Sequence, residues 1–286
     1  MGWTVLGAPL NSSAEPGGET LAPAALREAG LAERVAARDD GDIYGRVGPK
    51  VRDEESGVLG LPGLLDATAE LCDRTNRILA RGDRPIVLGG DCSLLLGVTA
   101  AFADQAERPG MWFVDGHTDT YDAASSPTGE AADMELGALT GHGPAPLGGT
   151  DPLLAPERIW VLGHRHPDDA EDTVELDLVD PMITRVDARA LQARGAAATG
   201  EEARRALEIA ADRVWLHIDL DVLDHSELPA VSYPQPGGIG WDDLAALVAP
   251  LAQSPLLAGV SLADLNSDKD PDGAYARRVV ELLALL

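Results

Sequence analysis

Three apolar runs in this chain end directly in acidic residues, and that feature limits its possible folds more than any other. Pro85-Ile86-Val87-Leu88 leads into Gly89-Gly90-Asp91-Cys92-Ser93, Trp112-Phe113-Val114 into Asp115-Gly116-His117-Thr118-Asp119, and Trp215-Leu216-His217-Ile218 into Asp219-Leu220-Asp221. A short apolar run bounded by turn signals reads as a strand buried on both faces. Strands are therefore expected at 3–6, 85–88, 111–114, 159–162, 183–186, 214–218 and 256–262. Between them, residues 23–38, 64–81, 200–212, 241–253 and 272–286 carry apolar side chains at helical spacing; Leu64, Ala67, Leu71, Cys72, Ile78 and Leu79 share one stripe. This alternation predicts an α/β fold, a three-layer sandwich in which helices flank a mostly parallel β-sheet. No linker, repeat or break in composition divides residues 1–286, so one domain is expected. In such sheets, sites form where loops leave the carboxyl ends of strands.

In an extended chain, positions i, i+2 and i+4 share a side. Asp115, His117 and Asp119 are thus expected to converge, as are Asp219 and Asp221. Buried carboxylates must be paired, protonated or metal-bound. Neither motif contains a Lys or Arg, so a pair of divalent cations is the simplest solution. Oxygen-rich ligation with one imidazole suits Mn²⁺ better than a structural zinc site. Taken alone, D-x-H-x-D also fits helix caps and solvated loop ends; the second motif, D-x-D on another strand, favours metal.

The charge balance, 22 Lys+Arg against 48 Asp+Glu for a net −26, argues against a nucleic-acid partner. It fits a solvated acidic surface, or a field that draws in a cationic substrate. No apolar run approaches the roughly 20 residues of a membrane span. The first residues lack the basic start and apolar core of a signal peptide. Two cysteines, Cys72 and Cys92, make no disulfide framework, and Cys72 is expected to be an inert core residue. A cytoplasmic protein without membrane partners is expected.

Several segments carry a resemblance to the arginase/agmatinase (ureohydrolase) superfamily. Gly7-Ala8-Pro9, Gly17-Gly18, Pro23 and Leu26-Arg27 resemble its amino-terminal signature. Gly89-Gly90-Asp91-Cys92-Ser93 resembles its GGDHS motif, residues 115–119 its DAHxD motif, and residues 217–224 its SxDxDxxDP motif. The resemblance implies an arginase-like fold, two Mn²⁺ ions per chain, and hydrolysis of a guanidino or formimino group by a hydroxide held between the ions. It implies that Asp115 and Asp219 bridge both ions, that Asp119 and Cys92 complete the first, and that His117 and Asp221 complete the second. Asp168 and Glu171 fall where arginases hold the substrate's α-amino group; a solvated turn is the alternative reading of Pro167-Asp168-Asp169. Asp264 stands in the place of the glutamate that pairs with the guanidinium, one methylene shorter. Homo-oligomers are common among such proteins.

The sequence also departs from that pattern. Cys92 replaces a histidine ligand, and a soft thiolate suits hard Mn²⁺ poorly. Cys92 therefore coordinates, sits idle, or selects a softer metal. Met134 keeps register with the motif that holds the proton-shuttling histidine, which leaves Ala132 at that histidine's place. Glu130, Asp133 and His142 are candidate substitutes. Tyr121 stands where arginases hold an asparagine near the substrate carboxylate, which weakens the case for arginine itself. An N-hydroxyguanidine is less basic and carries its own exchangeable proton, so it needs less help from a protein acid. The chain thus resembles the Nω-hydroxy-L-arginine amidinohydrolases within the superfamily. An agmatinase- or formiminoglutamase-type hydrolase, a metal-binding pseudoenzyme and an unrelated zinc hydrolase remain the alternatives.

Overall fold

The computed structural model describes residues 2–122, 124–170 and 173–286. Its eight strands are β1 (Trp3–Ala8), β2 (Arg38–Asp42), β3 (Arg84–Gly89), β4 (Pro109–Val114), β5 (Ile159–Leu162), β6 (Thr184–Val186), β7 (Arg213–Asp219) and β8 (Leu257–Ala263). They form one sheet in the order β2-β1-β3-β8-β7-β4-β5-β6, with every pairing parallel. The ten α-helices among the described residues are α1 (Ala22–Glu28), α2 (Leu31–Arg34), α3 (Leu61–Ala80), α4 (Leu94–Ala103), α5 (Glu135–Leu139), α6 (Val174–Leu178), α7 (Ala188–Arg194), α8 (Ala196–Ala210), α9 (Trp241–Ala252) and α10 (Ala274–Leu283).

The inner strands are largely apolar because both faces are covered. Trp112, Val114, Leu216 and Ile218 pack against α1, α2 and α7 through α10. Their neighbours Met111, Phe113 and Trp215 face the other way, against α3, α4 and α5. Each large side chain so buried contributes about 1.5–3 kcal/mol. The result is the expected α/β sandwich, with a sheet that is parallel throughout. Among the described residues no helix is long and apolar enough to cross a membrane.

Three features differ from the sequence expectation. The helix expected over 23–38 breaks at Gly30, whose φ of 87° ends α1, and the chain restarts as α2. Residues 38–42 then form β2, an edge strand without apolar residues. Arg27 holds it through Asp39 at 2.7 Å and Asp42 at 2.6 Å, so pattern alone does not reveal it. Cys72 lies half-buried rather than within the core, and the Asn76 amide donates to its Sγ at 3.7 Å.

Strand order decides what can meet. β3, β8, β7 and β4 are consecutive neighbours at the centre of the sheet. Their carboxyl ends lead into Asp91 and Cys92, Asp264, Asp219 and Asp221, and Asp115 through Asp119 respectively. Residues far apart in sequence therefore share one rim.

Candidate metal centre

Close packing shapes the loop after β3. A Cβ at Gly90 would lie 2.0 Å from the Leu10 carbonyl oxygen, so the backbone of the loop after β1 leaves space for glycine only. Asp91 fixes the same junction by accepting from the Ser93 amide at 3.2 Å and from the Ser12 amide. Cys92 then enters the site buried.

The acidic groups converge, although by a different route from that expected. β4 ends at Val114, so Asp115, His117 and Asp119 lie on a turn rather than on an extended strand. The His117 amide donates back to Asp115 Oδ1 at 2.7 Å, and Asp119 adopts a φ of 45°. Asp219 is the last residue of β7, and Asp221 sits in the 3-10 turn that follows; its amide donates to Asp219 Oδ1 at 2.7 Å. Ligand atoms of Asp115, His117 and Asp119 lie within 4.8 Å of one another, as do those of Asp219, Asp221 and Asp264 and those of Cys92, Asp115, His217 and Asp219. Asp264 also has a left-handed backbone, φ 67°.

Like charges at this spacing reject ionisation. Burial first, then Asp119, Asp219 and Asp221, pushes Asp115 well above the usual carboxylate range. Burial and Glu135 do the same to Asp119, and burial and Asp221 to Asp219. Burial also raises Asp221, but His117 and Arg165 outweigh it and hold that carboxyl low. His117 Nδ1 lies 2.9 Å from Asp221 Oδ2; burial opposes its charge, yet Asp221 lifts the imidazole to about 9. No Lys or Arg forms an ion pair with Asp115, Asp119, Asp219, Asp221 or Asp264 among the described residues. Arg165 comes nearest, but its guanidinium donates to the carbonyls of Asp221, Leu223, Gln235 and Pro236. The donor set is rich in hard oxygens and suits a pair of divalent cations.

Cys92 and His217 sit together at the back of the site. The Cys92 thiol donates to Asp219 Oδ2 at 2.7 Å and lies 3.2 Å from His217 Nε2. Burial, then the Asp219 and Asp115 charges, keeps it protonated well above its ordinary range. Burial pushes His217 down to about 3, so its ring is neutral. Ser261 Oγ fixes that ring through Nδ1 at 2.8 Å and accepts from the Trp215 indole at 2.9 Å.

Most of these groups floor a cavity of about 670 Å³, where eleven of the described lining residues are Asp or Glu against only Arg165 and Lys269. Glu19, Glu130, Asp133 and Glu175 line it; Glu130 and Asp133 are two of the candidate proton donors, whereas no motif in the sequence pointed to Glu19 or Glu175. Glu19 packs beside Asp264. Burial, then Asp91, pushes Glu19 up to about 7 despite Asp264 and Lys269. Burial, Asp91 and Asp133 lift Glu130 to about 7. Glu175 accepts from the amides of Thr118 and Asp119 and so braces the metal-motif turn. Tyr121 also lines the cavity.

One of the expected substrate residues lies elsewhere. Asp168 is exposed and pairs with Arg189 at 3.2 Å, away from the cavity walls. Glu171 lies outside the described residues. Of the candidate proton donors, His142 is exposed and does not line the cavity, and Asp133 accepts from the Ser126 and Thr128 hydroxyls at 2.9 and 2.7 Å.

A family model described as Arginase family matches residues 2–286. An arginase from Bacillus caldovelox is 30% identical over 294 residues, covering 99% of this chain and 97% of that protein. A crystal structure of the B. caldovelox arginase superposes with a TM-score of 0.90 at 28% identity, covering 100% and 97% of the two chains. A proclavaminate amidino hydrolase from Streptomyces clavuligerus shares the fold, with a TM-score of 0.75 at 19% identity over 100% of this chain and 90% of that one.

Proposed function

This chain belongs to the arginase family, metal-dependent hydrolases that act on guanidino groups, and from that premise we propose that it hydrolyses the guanidino group of an arginine-like compound, its N-hydroxyguanidino form above all, with two Mn²⁺ ions. One observation carries the reading: buried carboxylates crowd the rim of β4 and β7 with no Lys or Arg ion-paired to them among the described residues. Cations among its members would let such a cluster ionise at neutral pH, where without them its carboxyls hold their protons.

Asp115 and Asp219 would bridge the ions, Asp119 and Cys92 would complete the first, and His117 and Asp221 the second. When bound, the ions supply Lewis-acid activation of water and of the guanidino carbon near neutral pH. The protein's own residues do the rest. Asp264 and Glu19 face the cavity as neighbouring carboxylates, the arrangement that receives a planar cation with two sets of N–H donors. Glu130 lines the same cavity near neutrality and stands as the proton donor to the leaving amine, in place of the histidine absent at Ala132. An N-hydroxyguanidine, less basic and with its own exchangeable proton, makes the smallest demand on that donor. The free Cys72 and Cys92 support a reducing, cytoplasmic setting.

The test combines metal analysis with a substrate panel. Arginine, Nω-hydroxyarginine, agmatine, guanidinobutyrate and formiminoglutamate are each supplied with Mn²⁺, and urea, hydroxyurea and amine release are followed. Two ions per chain with fastest turnover of Nω-hydroxyarginine is the expected result. Asp219→Ala should lose both ions together. Two ions with no turnover of any guanidino compound would identify a metal-binding pseudoenzyme instead.

A further inference from the structure

Glu135 opens α5 directly beside the candidate metal centre. Its side chain is fully buried, and no donor from another group reaches its carboxylate, which lies against the Asp119 carboxyl. Ligand atoms of Glu135, Cys92 and Asp119 lie within 4.8 Å of one another. The backbone aims it there: the Tyr121 amide donates to the Asp133 carbonyl at 3.0 Å, and the Gly137 amide to the Asp119 carbonyl at 3.2 Å. The first turn of α5 is thus clamped onto the metal-motif turn.

A buried carboxyl whose hydrogen-bonding neighbour is another acid needs an explanation. Ionised, it lacks any compensating cation among its protein neighbours. Protonated, it can share its proton with Asp119, which leaves its other oxygen unsatisfied. Cys92, meanwhile, supplies a soft donor, already engaged with Asp219, where a hard ion wants a harder one. Glu135 stands on the side of that thiol, next to Asp119, and offers the hard oxygen.

We propose that Glu135 is a ligand of the first divalent ion, the hard donor that accompanies Asp119 where Cys92 is a poor ligand. The assignment rests on the two-ion reading above. It adds Glu135 to Asp115, Asp119, Asp219 and Cys92 around the first site, with the Glu135 oxygen rather than the Cys92 sulfur as the stronger donor.

The experiment is Mn²⁺ binding by equilibrium dialysis with metal analysis, together with electron paramagnetic resonance, on the wild type, Glu135→Gln, and Glu135→Gln combined with Cys92→His. Glu135→Gln should bind one of the two ions at least tenfold more weakly. The spectrum of a coupled pair should give way to that of a single ion. Cys92→His should restore the second ion to the double variant, which a misfolded protein would not allow. A Glu135→Gln protein that holds two ions with wild-type affinity and a coupled spectrum overturns the assignment alone; Glu135 then only shares a proton with Asp119. A wild type that takes up no ions overturns the two-ion reading and this ligand with it.

Discussion

A Cβ at Gly116 would lie 1.7 Å from Arg165 Nη1 and 2.7 Å from Asp221 Oδ1. The glycine therefore makes room for a buried guanidinium that ties three segments together, donating to Asp221 O at 2.6 Å, Leu223 O at 3.1 Å and Gln235 O at 3.2 Å. Alanine, the usual residue at this place in the family motif, would force Arg165 out. Gly116→Ala is expected to lower the unfolding free energy by about 1–3 kcal/mol, the usual range for overpacking, and to weaken binding of the ion at His117 and Asp221. Chemical denaturation and metal titration measure the two effects.

The raised carboxyls link stability to pH. Glu19 and Glu130 move from 4.5 up to about 7 on folding. Between those values the folded chain holds more protons than the unfolded one, so stability falls as pH rises from about 5 to 7. Surface carboxyls with lowered values, such as Glu201, are ionised throughout this window and do not oppose the trend. Chelator-treated protein should thus melt at a lower temperature at pH 8 than at pH 5.5. Added Mn²⁺ should raise Tm most at the higher pH, where the buried acids are ready to bind it. Differential scanning fluorimetry across this range checks both slopes.

Glu19 should decide how tightly a cationic substrate is held. A charge-assisted bond to it is worth about 1.5–3 kcal/mol, so Glu19→Gln is expected to raise KM roughly tenfold at pH 8. For the wild type, KM should climb as pH falls below 7 and Glu19 takes up its proton. In the variant that climb should flatten. A pH series of kcat/KM on both proteins provides the comparison.

Glu130→Gln tests the proton donor. The expected change is a fall in kcat of about 10²-fold or more with KM nearly unchanged. The alkaline limb of the kcat profile should disappear, because a proton donor is lost as pH rises past its own value. With an N-hydroxyguanidine the penalty should be smaller than with a guanidine, because that substrate brings its own proton.

Asp168 lies in the segment that aligns with the α-amino site of arginases, yet its side chain is 73% exposed and paired with Arg189. Exposed pairs of this kind contribute about 0–1 kcal/mol. Asp168→Ala is expected to change KM by no more than about threefold, measured by steady-state kinetics. A tenfold rise would mean that the substrate draws this loop inward.

Local pattern revealed the sheet because burial on both faces leaves an uninterrupted apolar run, as at Met111–Val114. It missed β2, whose Arg38-Asp39-Asp40-Gly41-Asp42 is held by arginines on α1 and α3. It also missed α4, where apolar residues on every side erase helical periodicity. The metal motifs were legible because their members are two residues apart, although a turn rather than an extended strand brings them together. Glu19, Glu135, Glu175 and the contact of His217 with Cys92 were not. They join the site through strand order and loop packing, which no spacing within one segment records.

Asp119 and Asp264 hold backbone angles that glycine would adopt more comfortably. With metal on Asp119 and substrate on Asp264, as proposed, a sturdier chain and a working one ask for opposite residues at both positions. A laboratory campaign that selected this protein for heat resistance alone would drift toward glycine at these two sites, and its survivors would melt later and turn over nothing.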